Sequence, residues 1–335
     1  MSVVTPQIAA ATDIEAGATP RVALVTGACG FTGRYVTDAL HARGYRVTGL
    51  TQAGADVSAG TDSLHELHAC DLLDRARLLG LIERIQPTHV VHLAAIAFVA
   101  HNDADAVYRT NIVGTRNLLA ALAATCTPIV SVLLASSANV YGNVDADPID
   151  EAVPPVPAND YAVSKLAMEF MARLWRDRLP ITIVRPFNYT GVGQSQEFVL
   201  PKIVAHFVRG ERSIELGNLD VARDFSDVRT VADAYCRLLD SAAPGETFNL
   251  CSGRAVSLRW VLDTMAQIAG YRIEVHFNPA LARANEIRRL RGSDAKLRTY
   301  AGAPLRIPLE QTLGWMFETA AASGAAPRAP NDGSR

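Results

Sequence analysis

Tyr161 and Lys165 stand four residues apart in the stretch YAVSK, within a pattern typical of an amphipathic helix. Residues at positions i and i+4 share one helix face, so these two side chains are expected to be neighbours. An ammonium group beside a phenol stabilises the phenolate and lowers a pKa that is ordinarily about 10, which would allow proton exchange near neutrality. Most such pairs are only solvated surface residues, so the interpretation depends on the rest of the chain.

A second candidate for chemistry is the glycine-rich stretch TGACGFTG, which contains Gly27, Gly30 and Gly33. It follows the apolar run RVALVTG and precedes a helical pattern. Glycines at this junction permit a tight turn and let backbone N–H groups approach a pyrophosphate at the helix N-terminus. Such a motif is weak alone but gains weight between a strand and a helix. It predicts a dinucleotide site.

The second predicted strand ends at Thr51, where a carboxylate would bind the ribose hydroxyls of NAD and a nearby Arg would favour NADP. Thr51 and Gln52 satisfy neither rule, so no acidic group opposes a 2′-phosphate. Arg34 could reach that phosphate or lie on the surface, and we favour NADP(H) over NAD(H). Asp71 ends the third strand, and its carboxylate either binds the adenine amino group or caps the next helix.

Further motifs make the chain similar to the extended short-chain dehydrogenase/reductase family. The stretches are TGACGFTG, HLAA (92–95), NIVGT (111–115), SSANVYG (136–142) and YAVSK, in the family's order and spacing. The resemblance covers residues 21 to about 320. It implies that Ser137, Tyr161 and Lys165 are the catalytic residues and that Asn111 anchors the lysine side of the site. The other cofactor-binding residues that it implies are Gly27, Gly30, Phe31, Thr32, Gly33, Arg34, Thr51, Asp71, Leu72, Leu93, Ala94 and Ala95.

Within this family the substrate loop RPFNYTGVGQSQEFVLPKI (185–203) is most similar to that of the GDP-4-keto-6-deoxy-mannose reductases. Its residues 187–196 are predicted to form a glycine-containing loop. Asn139 stands where sugar dehydratases carry an acidic base, and an amide cannot abstract a proton, so dehydration is disfavoured. The resemblance implies reduction of the C4 ketone to GDP-D-rhamnose, with Ser137 donating to the ketone oxygen. The remaining substrate-binding residues that it implies are Asn188, Val199, Lys202, Arg223, Arg283 and Glu286.

Three other functions stay open at this point. The chain could reduce a dTDP-4-keto-6-deoxy sugar to a 6-deoxy-talose product, or it could be a nucleotide-sugar 4-epimerase with tightly bound NAD. It could also be a non-catalytic nucleotide-binding regulator, although such proteins often lose the Tyr or the Lys. The family often forms homodimers through two helices, and LLAALAA (118–124) with LAMEFMARLW (166–175) could supply that interface.

The elements that must position these residues alternate along the chain. Strands are predicted at 21–27, 45–50, 65–72, 89–95, 129–137 and 181–186, and helices at 33–44, 74–85, about 105–124 and about 160–179. Apolar strands separated by helices indicate an α/β fold with a doubly wound, Rossmann-type parallel sheet. We assign 21–186 with 224–252 to a dinucleotide-binding domain, and 187–223 with 253–320 to a smaller substrate-binding lobe.

Composition excludes several other classes of protein. The 335 residues carry a formal net charge of −2, which argues against a nucleic-acid or membrane-surface partner. The five cysteines show no metal-ligand spacing, which favours a reducing, cytoplasmic compartment and predicts no bound metal. No apolar run approaches the roughly 20 residues of a membrane helix. Residues 1–20 and 321–335 are predicted to be flexible tails.

Overall fold

The structure of the chain is a computed structural model that describes residues 21–54, 61–97, 103–241, 243–281 and 289–324. The first predicted tail and Arg283 and Glu286 lie outside these residues. So does most of the second tail, although the last helix runs on to Gly324. No helix in the described segments is both long and apolar enough to cross a membrane.

The described segments contain strands and helices that alternate through the first half of the chain. The strands are β1 (Val22–Thr26), β2 (Arg46–Thr51), β3 (Glu66–Ala69), β4 (His89–His92), β5 (Ser131–Ala135), β6 (Ile181–Pro186), β7 (Asn188–Thr190), β8 (Ser213–Leu216), β9 (Ala222–Asp227), β10 (Thr247–Leu250), β11 (Ala255–Ser257), β12 (Glu274–Phe277) and β13 (Arg289–Leu290). The helices are α1 (Phe31–His41), α2 (Arg75–Ile85), α3 (Ala104–Tyr108), α4 (Thr115–Ala124), α5 (Asp160–Arg173), α6 (Val199–Val208), α7 (Val228–Ser241), α8 (Leu258–Ala269), α9 (Ala295–Ala301) and α10 (Leu309–Gly324).

Seven strands form a parallel sheet in the order β10-β6-β5-β4-β1-β2-β3. The chain reverses its direction of winding between β1 and β4, and in such sheets ligands bind in the crevice at the carboxyl ends of the strands on either side of this point. The prediction of a Rossmann-type parallel sheet is therefore confirmed.

Two apolar layers cover the sheet, because its strands are buried on both faces. On one face α1 and α7 pack through residues such as Val36, Leu40 and Val231. On the other face α2, α4 and α5 contribute side chains that include Leu118 and Met168. Both layers exclude water from beneath the carboxyl ends of the strands, which supports the rigid positioning of the residues there.

Several boundaries differ from the prediction. The helix predicted to reach residue 179 ends at Arg173, and the chain continues in tighter turns whose N–H groups donate mostly to carbonyl oxygens three residues back. The helix predicted at about 105–124 contains a π-helical turn over Arg109–Gly114, which hydrophobic periodicity does not reveal. β7 lies in a segment that was predicted to be a loop.

The second half of the chain adds a small sheet and three helices to the large sheet. β9 pairs with β7, β11 and β13, while β8 pairs with β12. α6, α8 and α10 enclose a separate apolar cluster around Phe207 and Met265. Only Phe187 separates β7 from β6, so the small sheet is joined directly to the carboxyl end of the large one.

Candidate active site

The glycine-rich turn connects β1 to α1 and is fixed by very close backbone contacts. Gly27 has a φ of +71°, and a Cβ atom placed on it would lie 2.9 Å from the Ala94 nitrogen. A Cβ atom on Gly33 would lie 2.1 Å from the Gly27 carbonyl oxygen. Gly30 is the N-cap residue of α1 and has no capping side chain. The turn therefore leaves the first N–H groups of α1 open to an anion, which fits a pyrophosphate.

The residues around this turn lie where an adenosine could bind. Phe31, Thr32 and Arg34 occupy the first turn of α1 and are half-buried. Thr51 ends β2 and is 9% exposed. These positions agree with the predicted cofactor-binding set, whose roles stay predictions.

Asp71 is exposed after β3, where its carboxylate accepts a hydrogen bond from the Leu73 N–H at 2.9 Å. The helix cap is Asp74, whose carboxylate accepts from the Arg77 N–H. The alternative interpretation of Asp71 as the cap of α2 is therefore wrong, because the chain makes a further turn before the helix begins. Leu72 is buried, and Asn117 donates to its carbonyl oxygen, so its side chain belongs to the core.

The end of β4 is held by a buried chain of hydrogen bonds. The Thr115 hydroxyl donates to the Asn111 carbonyl oxygen at 2.7 Å, so it accepts from His92 Nε2 at 2.8 Å. The other ring nitrogen, Nδ1, then accepts from the Thr26 hydroxyl at 2.7 Å. Burial and the Lys165 charge lower the pKa of His92 to about 3, so the ring is neutral. The predicted residues Leu93, Ala94 and Ala95 follow directly, and the Ala94 N–H donates to the Thr26 hydroxyl oxygen.

Asn111 connects this chain of hydrogen bonds to the helix that carries YAVSK. Its amide donates to the Ser164 hydroxyl at 3.0 Å, and Ser164 donates to the Tyr161 carbonyl oxygen at 2.7 Å. It also exchanges two hydrogen bonds with the backbone of Ile96. Asn111 therefore joins β4, the π-helical turn and α5. Sequence reasoning missed His92 and Thr26 at the ends of β4 and β1, and Thr115 at the start of α4, because histidine and threonine in apolar elements resemble ordinary core residues.

Ser137, Tyr161 and Lys165 come together at the carboxyl end of the sheet. Ser137 lies two residues beyond β5, and its side chain is near enough to Tyr161 to act on the pKa of the phenol. Asn159 caps α5, which places Tyr161 in the first turn of the helix. Lys165 lies one turn later and donates to the Ala135 carbonyl oxygen at 2.7 Å. All three are less than 9% exposed.

The electrostatics of this group differ from the expectation. Burial raises the pKa of Tyr161 above its ordinary value, and the neighbouring Ser137 side chain only partly opposes that effect. The Lys165 ammonium lies 6.0 Å from the centre of the tyrosine ring and is bonded to the backbone. The predicted lowering of the Tyr161 pKa is therefore not met by the protein alone. A phenol that keeps its proton can act as a general acid.

The predicted substrate residues are only partly brought together. Asn188 begins β7 and donates to the Asp224 carbonyl oxygen, and Arg223 lies on the paired strand β9. Lys202 donates to the Glu215 carbonyl oxygen at 2.9 Å, and Val199 begins α6 beside the apolar cluster of the lobe. β9 also pairs with β13, which places Leu290 opposite Arg223.

Tyr189 is a contact that the sequence analysis missed. Its hydroxyl is hydrogen-bonded to the Thr32 hydroxyl at 2.8 Å, and its ring stacks on Phe31 with centroids 6.0 Å apart. The residue therefore connects the small sheet directly to the glycine-rich turn. Because Tyr189 was predicted to lie in a loop, no periodic pattern in the sequence indicated that it contacts Thr32 and Phe31.

Comparisons with known proteins agree with the geometry. Residues 23–251 match the sequence model of the NAD dependent epimerase/dehydratase family. GDP-6-deoxy-D-talose 4-dehydrogenase from Aggregatibacter actinomycetemcomitans is 33% identical over 84% of this chain and 92% of its own length. GDP-6-deoxy-D-mannose reductase from Pseudomonas aeruginosa is 37% identical over 73% of this chain and 84% of its own length.

Solved structures show the same fold. A chain from Burkholderia cenocepacia J2315, described as an epimerase, is 51% identical with a TM-score of 0.86, and the match covers 90% of this chain and 99% of that one. The structure of RMD from Pseudomonas aeruginosa complexed with NADPH is 33% identical with a TM-score of 0.79, covering 91% of this chain and 98% of that one. The close backbone contacts of the glycine-rich turn and the similarity to a structure solved with NADPH both support binding of a nicotinamide cofactor there.

Proposed function

Because this chain belongs to the NAD dependent epimerase/dehydratase family and is an NAD(P)-dependent oxidoreductase, we propose that it reduces the C4 ketone of GDP-4-keto-6-deoxy-D-mannose to GDP-D-rhamnose. The observation that carries this proposal is the meeting of Ser137, Tyr161 and Lys165 at the carboxyl end of the sheet whose first strand leads into the glycine-rich turn. The names of two relatives, a GDP-sugar reductase and a GDP-sugar dehydrogenase, support the choice of substrate class.

Ser137, Tyr161 and Lys165 each have a different role in the proposed reduction. A bound nicotinamide supplies the hydride that C4 receives. Tyr161, which keeps its proton at neutral pH, gives that proton to the ketone oxygen as the alkoxide forms. Ser137 donates a hydrogen bond to the same oxygen, and Lys165 binds the cofactor ribose while stabilising the tyrosinate that remains. Tyr161 then regains a proton from solvent, which completes the cycle.

NADPH is proposed as the preferred cofactor. Neither Thr51 nor Gln52 at the end of β2 offers a carboxylate to repel a 2′-phosphate, and Arg34 lies in the nearby first turn of α1. The RMD structure was solved with NADPH, which supports the same choice. A side-by-side titration with NADH and NADPH tests it, and equal affinities would contradict it.

The experiment that tests the function is oxidation of NADPH by the purified protein with GDP-4-keto-6-deoxy-D-mannose and its dTDP counterpart in parallel. Oxidation with the GDP sugar alone, and a product with the rhamnose configuration by NMR, would support the proposal. Oxidation with the dTDP sugar alone would replace the nucleotide. If neither sugar causes NADPH oxidation and NAD copurifies with the protein, a 4-epimerase would be favoured. If neither sugar causes oxidation and no cofactor binds, a regulator would be favoured.

One observation favours a second product. The relative named GDP-6-deoxy-D-talose 4-dehydrogenase matches more of this chain than the named reductase does, 84% against 73%. The two products differ only in the configuration at C4, which depends on the face of the ketone that receives the hydride. GDP-6-deoxy-D-talose is therefore the second candidate product, and the same NMR measurement distinguishes it.

Lys165 gives the reaction a pH dependence. Burial lowers the pKa of Lys165 to about 8, against the opposing charge of Glu169. The side chain is therefore an ammonium below that pH and a neutral amine above it. We expect NADPH affinity to be steady near pH 7 and to fall above about pH 8, approaching tenfold per pH unit, because the cation that binds the ribose is lost. Fluorescence titrations of NADPH across this range measure it, and a flat profile would contradict it.

A homodimer is proposed from an apolar surface on α5 and the turn before α4. Phe170, Leu174, Val163 and Val113 are 56%, 81%, 38% and 43% exposed, although all are large apolar residues. A second copy that covers them would bury the predicted interface stretch 166–175, whereas the leucines of 118–124 are already buried against the chain's own sheet and are not part of this surface. Each fully buried large side chain stabilises by about 1.5–3 kcal/mol.

We expect Leu174→Asp combined with Phe170→Asp to convert a dimer into a monomer, measured by light scattering after size-exclusion chromatography. The control is Phe277→Asp in the substrate lobe, where an equally exposed phenylalanine lies on β12. A wild-type protein that is already monomeric would refute the proposal.

A further inference from the structure

α5 carries a third functional candidate on the face that bears Tyr161 and Lys165. Glu169 lies one helical turn after Lys165, and its side chain is completely buried. Arg185 from β6 binds both of its carboxylate oxygens, with Nε 2.9 Å from Oε1 and Nη2 2.6 Å from Oε2. The Arg185 side chain is only 5% exposed. The spacing of Tyr161, Lys165 and Glu169 by four residues each could have signalled this group in the sequence.

The same carboxylate also holds the end of β5. The Ser136 hydroxyl donates to Glu169 Oε1 at 2.5 Å, and the Ser136 N–H donates to the Val184 carbonyl oxygen on β6. Ser136 lies between Ala135, whose carbonyl oxygen accepts from the Lys165 ammonium, and Ser137. Glu169 therefore fixes the backbone that presents the partners of both Lys165 and Tyr161.

Arg185 is held in turn from its far side. Its Nη1 donates to the Tyr141 hydroxyl at 3.0 Å, and that hydroxyl donates to Asn249 on β10 at 2.7 Å. These contacts anchor the guanidinium so that the carboxylate cannot drift. A buried ion pair adds little net stability, since an apolar pair of the same volume often serves the fold equally well. Fold stability therefore gives little reason for this ion pair, whereas its contacts beside Lys165 and the Ala135–Ser137 segment do.

The charges around Lys165 single out Glu169. The described groups that face Lys165 are Tyr161 and Glu169 on α5, His92 from β4, and Arg185 behind Glu169 from β6. Tyr161 and His92 are both uncharged near neutrality. Glu169 is the negative charge in this group, and it opposes the tendency of a buried lysine to lose its proton.

We propose that Glu169, clamped by Arg185, is a positioning residue that keeps Lys165 charged and holds the Ala135–Ser137 segment in place for catalysis. The inference rests on the proposed function only in assigning cofactor binding to Lys165. It predicts that the pair controls the pH at which the cofactor is released, which a merely structural ion pair would not do.

The test is the pH dependence of NADPH binding, followed by fluorescence, in Glu169→Gln and in the double variant Glu169→Gln with Arg185→Met. In Glu169→Gln the guanidinium is left uncompensated near Lys165, so the alkaline loss of binding should begin about one pH unit lower. At pH 8 this shift corresponds to about fivefold weaker binding. In the double variant both charges are gone, so the profile should lie between those of Glu169→Gln and the wild type.

The control is Asp233→Asn, which makes the same acid-to-amide change in an ion-pair group between α1 and α7. Its profile should match the wild type. If Glu169→Gln fails to fold, the double variant, which leaves no buried charge unpaired, still gives a pH profile. In that profile NADPH binding must be lost at a lower pH than in the wild type. Weaker binding with an unchanged pH profile would overturn the proposal. Because the test needs no sugar, the failure of sugar reduction would refute the proposed substrate and leave this result standing.

Discussion

Tyr161→Phe is expected to lower turnover by at least about 10³-fold while NADPH still binds. The substitution removes the hydroxyl that gives its proton to the ketone oxygen and keeps the ring that fills the buried site. Single-turnover oxidation of NADPH with the GDP sugar measures the chemical step, and fluorescence titration measures binding.

Tyr300→Phe is the matched control, since Tyr300 lies on α9 with about half of its surface exposed. Its turnover should equal that of the wild type. If Tyr161→Phe reduced the ketone at the wild-type rate, Tyr161 would not be the acid and another proton donor would have to be sought. If both binding and turnover disappeared, the residue would be structural.

Gly33→Ala is expected to weaken NADPH binding by about 100-fold or more. The added Cβ atom would lie 2.1 Å from the Gly27 carbonyl oxygen and 2.6 Å from the Ala28 carbonyl oxygen, and both are backbone atoms that cannot move alone. The turn would have to open, and the N–H groups at the start of α1 would no longer fit a pyrophosphate. Hydrogen bonds to a charged group contribute about 1.5–3 kcal/mol each, so the loss of one or two of them corresponds to about 100-fold in affinity. Isothermal titration with NADPH measures the change.

Gly80→Ala tests whether the effect comes from the site or from helix propensity. Both glycines lie inside helices, but a Cβ atom on Gly80 in α2 meets nothing within 4 Å. Alanine there should stabilise the fold by about 0.8–1 kcal/mol through helix propensity and leave NADPH binding unchanged. Equal binding by Gly33→Ala and the wild type would show that the turn tolerates the methyl group and does not cradle the cofactor.

Local patterns in the sequence were sufficient for the parallel sheet, the glycine-rich turn and the residues around Tyr161. Continuous apolar strands that alternate with helices predict a doubly wound sheet, because only a sheet covered on both faces buries them. In such a sheet the strand ends meet at one edge, so Thr51 and Ser137 could be placed there by order alone, whereas Leu93 was supplied by the family resemblance. The spacing of the motifs predicted where the glycine-rich turn and the YAVSK helix would lie, and the observed positions of Gly33 and Tyr161 agree with it.

Only the tertiary structure decided the charge states and the partners of the buried polar residues. The pKa of Tyr161 depends on how completely the phenol is desolvated and on where the Lys165 ammonium points, and neither follows from a four-residue spacing. Glu169 and Arg185 are separated by sixteen residues and meet only because α5 packs on β6. Sequence patterns report local periodicity, whereas desolvation and long-range pairing depend on all the elements that close around a group.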